Sequence, residues 1–353
     1  MSIEGKFSPM ERVLETIQFK EPDKVPLFLM LTLHGAKELG LGIKEYFSKP
    51  EYVAEGQLRL REKYQNDCLN SLFYAAIEIE AWGGEVIFVE DGPPNSGEPI
   101  IGNKKKINEL EAPKISESKP LKKVLKAISI LSEKAKGAVP VIGVVMSPFS
   151  VPIMQMGFDK YLDLFYQDKK LFKKLMEINK GFCIKWANAQ VDAGADAICY
   201  FDPFSSTSII EKSDYLKFGF PIAREVIRSI NAPTATHFAS GRSYRLLDQV
   251  AETQTKIVGV SCLEDLTMMK NKCYGKLTVL GNLNGIGMRK WDRKKTEEQV
   301  KSIILQAGTG GGFIISDNHG EIPWFVSDET LLALREAVNR WGQYPLDWIK
   351  DYG

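Results

Sequence analysis

With 353 residues, 44% of them apolar and 26% charged, the chain is too rich in core-forming residues to be a disordered polymer and long enough for one large core or two modest ones. Its 46 Lys and Arg against 45 Asp and Glu leave a net charge of +1, so no bulk field draws it to nucleic acid or to an anionic membrane. The opening MSIEGKFSPMERVLE lacks the basic-then-apolar layout of a secretion signal, and no run of about 18 apolar residues offers a bilayer span, so a cytoplasmic protein is expected.

In chain order, a helix is expected first at 8–19, ahead of the first apolar run. Eight short β-prone runs then follow: 25–30 (VPLFLM), 85–89 (EVIFV), 139–145 (VPVIGVV), 196–201 (DAICYF), 233–238 (PTATHF), 257–262 (IVGVSC), 276–281 (KLTVLG) and 312–316 (GFIIS). They are continuous rather than alternating, as befits parallel strands covered on both faces. Between them lie helical stretches at 121–136, 168–193, 211–230, 242–251, 296–307 and 328–341. In TEEQVKSIILQA, Thr296 and Gln299 form a capping-box pattern while Val300, Ile303, Ile304 and Ala307 share one face. The polar, Pro- and Gly-rich stretch 90–120 reads as a long excursion after the second run.

Alternating strands and helices define βα units. A doubly wound open sheet shares that alternation, but eight runs, the length and the lack of a Gly-rich loop after the first run favour an α/β chain folded as a (β/α)8 TIM barrel. One domain, 1–353, with an N-terminal helical extension capping the lower end, is the expected organisation.

In such a barrel, polar residues just past the strand carboxyl ends carry the chemistry. These are His34, Ser147, Asp202, His237, Cys262 and Glu264, Asn282 and Asn284, then Asp317, Asn318 and His319. His237 and His319 stand over one cavity in this arrangement and suit two ligands of an open zinc site, or else each bonds a loop. Cys262 is a candidate thiolate ligand or a structural thiol. Glu264 is a candidate third ligand or a first-turn acid at a helix start. Asp202 reads as a substrate-facing acid or a helix cap. Phe149, Met154 and Met156 wall a pocket or pack a connection. Five cysteines, with no C-x-x-C pair, argue against a disulfide framework or a zinc ribbon.

Taken in order, ERVLETIQFKEPDKVPLF, VPVIGVVMSPFSVPIMQMG, AQVDAGADAICYFDP, THFASG, LGNLNG and GGFIISDNHGEIP resemble the uroporphyrinogen decarboxylase superfamily over essentially the whole chain. That superfamily also holds corrinoid-linked methyltransferases. The decarboxylase branch binds its carboxylate-rich substrate through an Arg-Gln-Ala-Gly-Arg-Tyr run, where this chain has LMLTLHGAKELG without arginine. The acid of that branch's Phe-Ser-Asp-Ile motif is missing at Phe73-Tyr74. The methyltransferase branch binds zinc through a His-x-Cys and a later cysteine; here these positions read His237-Phe238-Ala239 and Asn318-His319-Gly320.

The resemblance therefore implies methyl transfer from a methoxylated compound, an aromatic ether above all, to the cobalamin of a partner corrinoid protein. Zinc, held by His237 and His319 with Glu264 or Cys262, would be a harder Lewis acid than a thiolate-bound ion and suited to oxygen. His237, His319 and Asp202 are the catalytic candidates; His34, Tyr74, Met154 and Asn282 are the candidates that shape the substrate pocket. The rival readings are a methylcobalamin:thiol methyltransferase, a decarboxylase, a metal-free enzyme using histidine acids, and a non-catalytic corrinoid-binding subunit.

Overall fold

A computed structural model describes residues 7–352; residues 1–6, part of the stretch read against a secretion signal, lie outside it. Seven parallel strands form one sheet in the order β1 (Leu69–Asn70), β2 (Val141–Met146), β3 (Ala197–Phe201), β4 (Thr234–His237), β5 (Ile257–Gly259), β6 (Thr278–Leu283) and β7 (Phe313–Asp317). Each neighbour in the sheet is the next strand in sequence, and a helix fills every interval from β2 onward. Lys169–Asp192, Phe220–Arg228, Leu247–Glu252, Leu266–Cys273 and Arg293–Ala307 return the chain to the start of the next strand, and Asp328–Trp341 follows β7. Parallel neighbours require such crossovers, which is why the chain repeats β then α.

Six of the apolar runs fall on sheet strands, but two expectations are corrected. The run at 85–89 forms a surface hairpin, Val86–Ile87 against Asn95–Ser96, outside the parallel sheet. Ile87 and Val89 are exposed, so the run lacks the two-sided burial that its composition suggested. The strand in its stead is β1, whose setting, NDCLNS, is too polar to announce itself; Leu69 and Asn70 pair with Val141 and Ile142.

The segment 25–30 is not a regular strand. It meets β7 through a parallel Leu27–Ile315 bridge, and Leu27 O accepts from Asp67 N at 2.8 Å just before β1. Pro26 has no N–H for a ladder. On the β1 side, the Asp67 and Asn66 side chains accept from Leu27 N and Leu29 N at 2.8 and 3.0 Å, replacing backbone partners.

The helix before this segment, α1 (Pro9–Ile17), starts at a capping box of Ser8 and Glu11. Met10 N donates to Ala138 O, and Gly312 N to Thr16 O, which seats α1 at the strands' amino ends. The capping box expected at Thr296 is instead an Asp292 cap. Asp292 accepts from Lys295 N at 2.7 Å, and Thr296 lies inside the helix with its hydroxyl on Asp292 O. Among the described residues, no helix is long and apolar enough to cross a membrane.

Candidate active site

A cavity of about 300 Å³ runs from the strands' carboxyl ends down inside the sheet toward α1. His237, the last residue of β4, is wholly buried at its upper end. Its ring stacks on Phe201 of β3 with centroids 5.5 Å apart and planes at 21°. On the β5 side, any Cβ at Gly259 would lie 2.3 Å from its Cδ2, so only glycine leaves room for this ring orientation.

Nδ1 of His237 accepts from Ala239 N at 3.0 Å, with Ala239 held at a left-handed φ of 51°. Nε2, buried, has no protein partner. A ring that accepts at Nδ1 carries its proton at Nε2 when neutral. Burial, and after it His319, lowers the pKa of His237 to about 4, so the ring is neutral and presents an N–H donor to the cavity.

His319 is placed by Asp317, the last residue of β7. One carboxylate oxygen, Oδ2, accepts from His319 N at 2.9 Å and Gly320 N at 3.0 Å, curling the loop over the cavity. Gly320 has φ 90°, and a Cβ there would strike Phe201 at 2.7 Å, so glycine serves both backbone and packing. Asp317 Oδ1 and His319 Nδ1 are buried without protein partners. Burial pushes Asp317 up to about 6 and lowers His319.

Two acids absent from the expected set also line the cavity. Glu321 is pushed up to about 8 by burial and then by Asp317. Glu78, on Ile77–Ala81, is pushed up to about 8 by burial, against the 2.9 Å bond that its Oε1 accepts from Met146 N. Both are protonated at neutral pH. Glu321 stands four residues past Asp317 and was within reach of the strand-end rule. Glu78 follows the strand that composition concealed.

Of the expected residues, the cavity brings together His237, His319 and Tyr74, whose hydroxyl donates to Glu80 at 2.5 Å. The others are placed elsewhere. Asp202 is turned away: Oδ1 accepts from Ser147 and Ser150 at 2.5 and 2.7 Å, and Oδ2 from Ser205 at 2.6 Å, so its oxygens tie the connection after β2 to its own. Burial raises its pKa, opposed by those three hydroxyls. Buried His34 lies against Trp324 of the loop that carries Glu321, and burial takes its pKa to about 3. Met154 packs with Ile79, Met146 and Val151, while Asn282 Nδ2 donates to Ser261 O at 3.0 Å.

The expected zinc ligands do not assemble. Glu264 Oε1 accepts from Tyr244 N at 2.8 Å and Oε2 from Ser243 N at 2.9 Å, capping the turn before Leu247–Glu252. Cys262, half-buried in the same loop, does not line the cavity. Among the described residues, no three His, Cys, Asp or Glu side chains gather as a ligand set. A histidine ligand ordinarily donates its second N–H to an acceptor. His237 does the reverse at Nδ1, which leaves its proton on the nitrogen a metal would need. These residues do not fit zinc.

A parallel α/β fold with buried acids and imidazoles at the strand carboxyl ends is the architecture of an enzyme. The uroporphyrinogen decarboxylase (URO-D) family profile matches residues 8–341, and the chain belongs to that family. It is 24% identical over 352 residues to a uroporphyrinogen decarboxylase of Geotalea daltonii, covering 94% of this chain and 99% of the relative. Its fold matches a methyltransferase from Methanosarcina mazei with a TM-score of 0.83 at 20% identity, over 95% of this chain and 99% of that one. A B12-independent methionine synthase from Shewanella sp. W3-18-1 matches with a TM-score of 0.53 at 12% identity, over 84% and 89% of the two chains. At these identities, the structural likenesses concern the fold.

Proposed function

We propose that this chain transfers a methyl group from the oxygen of a small, uncharged methoxylated compound, an aromatic ether above all, to a corrinoid carried by a separate protein in the cytoplasm. The observation that carries this reading is an apolar cavity that ends on a neutral imidazole donor and a protonated acid, with no arginine in its lining. A substrate with many carboxylates needs paired cations. The one lysine on the wall, Lys256, lies at the strands' amino ends, so porphyrinogen decarboxylation is disfavoured despite the names of the relatives.

The His237 Nε2–H donates to the ether oxygen and holds the methyl group toward the mouth. As the carbon–oxygen bond breaks, its electron pair stays on oxygen, which takes the Glu321 carboxyl proton and leaves as a hydroxyl compound; solvent then reprotonates Glu321. When bound, the corrinoid supplies a nucleophilic metal centre as the methyl acceptor. Leu263, Ile286 and Phe325, 62, 50 and 61% exposed on the loops after β5, β6 and β7, form an apolar rim suited to a covering partner. In this reading, segment 25–30 is the eighth stave, joining β7 to β1 and closing the barrel.

The test is methyl transfer from 2-methoxyphenol to free cob(I)alamin by the purified protein, followed by absorbance. Transfer is expected, with a loss of about 10²–10³-fold in His237→Ala at unchanged melting temperature. No transfer from any methoxylated donor, together with carbon dioxide release from uroporphyrinogen, overturns the reading. Elemental analysis completes it: one zinc per chain, lost in the His237→Ala/His319→Ala double variant, would restore the Lewis-acid alternative.

A further inference from the structure

A TIM-type sheet normally fills its interior with layers of bulky branched side chains. Here the inward positions of three adjacent strands are not filled. In β3 the residues alternate strictly: Ile198 and Tyr200, facing the helices, are fully buried, whereas Ala197, Cys199 and Phe201, facing the interior, are half-exposed. β2 repeats the pattern, with Val141 and Val145 buried and Ile142 and Val144 half-exposed. In β4, Ala235 is the half-exposed residue below His237.

All of these half-exposed residues line the cavity. The cause is volume, because Ala197, Cys199 and Ala235 are small where a packed layer wants leucine or isoleucine. Across the lumen, Phe28, Met30, Leu280 and Ile314 do pack together, with Val13 of α1 beneath them. The interior is therefore a half-filled shaft, apolar on both sides, closed below by α1 and open above at His237. From Ala197 to Phe201 it is about 13 Å deep, at roughly 3.3 Å per strand residue. Its volume of about 300 Å³ is at the lower bound of small-molecule sites. An apolar cavity of roughly half that size, in another protein, already admits benzene.

We infer that this shaft is a recognition pocket for an uncharged apolar arm of the substrate, an aromatic ring with or without a short alkyl chain, inserted past His237 toward α1. That the arm belongs to a methoxylated substrate rests on the function proposed above; that the shaft binds such an arm does not. With the arm below, the reactive oxygen is left level with His237 Nε2, and the inward residues between, Ile142, Val144, Ala197, Cys199 and Ala235, offer a charged arm no counter-ion.

The experiment uses the intact chain and two unreactive probes, toluene and n-butylbenzene, with methyl NMR of Ile142, Ile257 and Ile314 and calorimetric titration as readouts. Saturable shifts at these methyls are expected in the wild type. Ala235→Leu, folded by its circular dichroism and melting curve, should bind both probes at least tenfold more weakly, and Ala197→Leu, deeper in the shaft, should weaken n-butylbenzene more than toluene. Absence of shifts in the wild type at saturating toluene overturns the inference without need of a variant, and so does wild-type affinity in Ala235→Leu. Probe binding without methyl transfer from any ether leaves the shaft standing and removes the function. Transfer without probe binding does the opposite.

Discussion

Polar groups are buried at both ends of the strands, and the two ends treat them oppositely. Below, Arg12 of α1 donates from Nε and Nη2 to the two oxygens of Asp23 at 2.7 Å each, from Nη1 to Asp67 at 2.5 Å, and from Nη2 to Phe7 O at 3.0 Å. Asp67 spends its other oxygen on Leu27 N. Above, His237 Nε2, His319 Nδ1, Asp317 Oδ1 and both atoms of the Asn318 side-chain amide have no protein partner. Burying a polar atom without a partner costs about 1–3 kcal/mol, and the consecutive residues Asp317, Asn318 and His319 all carry such atoms. The floor is a structural joint; the mouth gathers donors and acceptors that the fold itself does not use.

Breaking the joint should have the largest effect. Arg12→Ala leaves the Asp23 and Asp67 carboxylates without their cation, and a loss of about 3–5 kcal/mol is expected in urea unfolding. A loss below 1 kcal/mol would erase the contrast. Asp202 tests whether position or satisfaction is what matters, since it sits at the height of the mouth yet has three hydroxyl partners. Asp202→Ala should cost about 1–3 kcal/mol of stability with KM for the ether unchanged; a raised KM with normal stability would return it to the site.

The smallest effect is the most diagnostic. Glu321 has a reference pKa of 4.5 and about 8 in the folded chain, so its contribution to stability is fully present below 4.5 and is lost as pH rises through about 8. Glu321→Gln should flatten the fall in melting temperature between about pH 4.5 and 8, and it should remove the alkaline limb of the rate profile. His237 runs the other way: its pKa falls from 6.5 to about 4, so its contribution is present above 6.5 and is lost as pH falls through about 4.

What could be read beforehand follows from how each element is specified. Val141–Met146 and Phe313–Asp317 are apolar on both faces and bounded by helices, so their identity is local. β1 is strand only because Val141 and Ile142 pair with it, and nothing in CLNS says so. The same holds at the site. His237 and His319 stand out by rarity and by following strands, whereas Glu78 hides in IEIE, behind a strand that tertiary pairing alone defines. Asp202 and Glu264 were placed at strand ends correctly, but which way a carboxylate turns depends on hydroxyls and amides far along the chain, such as Ser147 for the one and Ser243 for the other.

The seam where the segment 25–30 meets β7 sets the order in which the molecule can be finished. Phe28 N donates to Ile315 O, Thr16 O receives Gly312 N, and Val25 N reaches Gly342 O, each across nearly 290 residues or more of intervening chain. Contacts of such separation form late and slowly, because the loop they close must be ordered first. During synthesis, Leu27 and Leu29 can meet Asp67 and Asn66 early, but the bonds of Phe28 and Val25 must wait until Ile315 and Gly342 have left the ribosome. Chaperone demand and aggregation should therefore track this seam rather than the catalytic end, and a circular permutant opened in the 90–120 excursion, which brings 25–30 to about sixty residues after β7 in sequence, should refold faster than the native order.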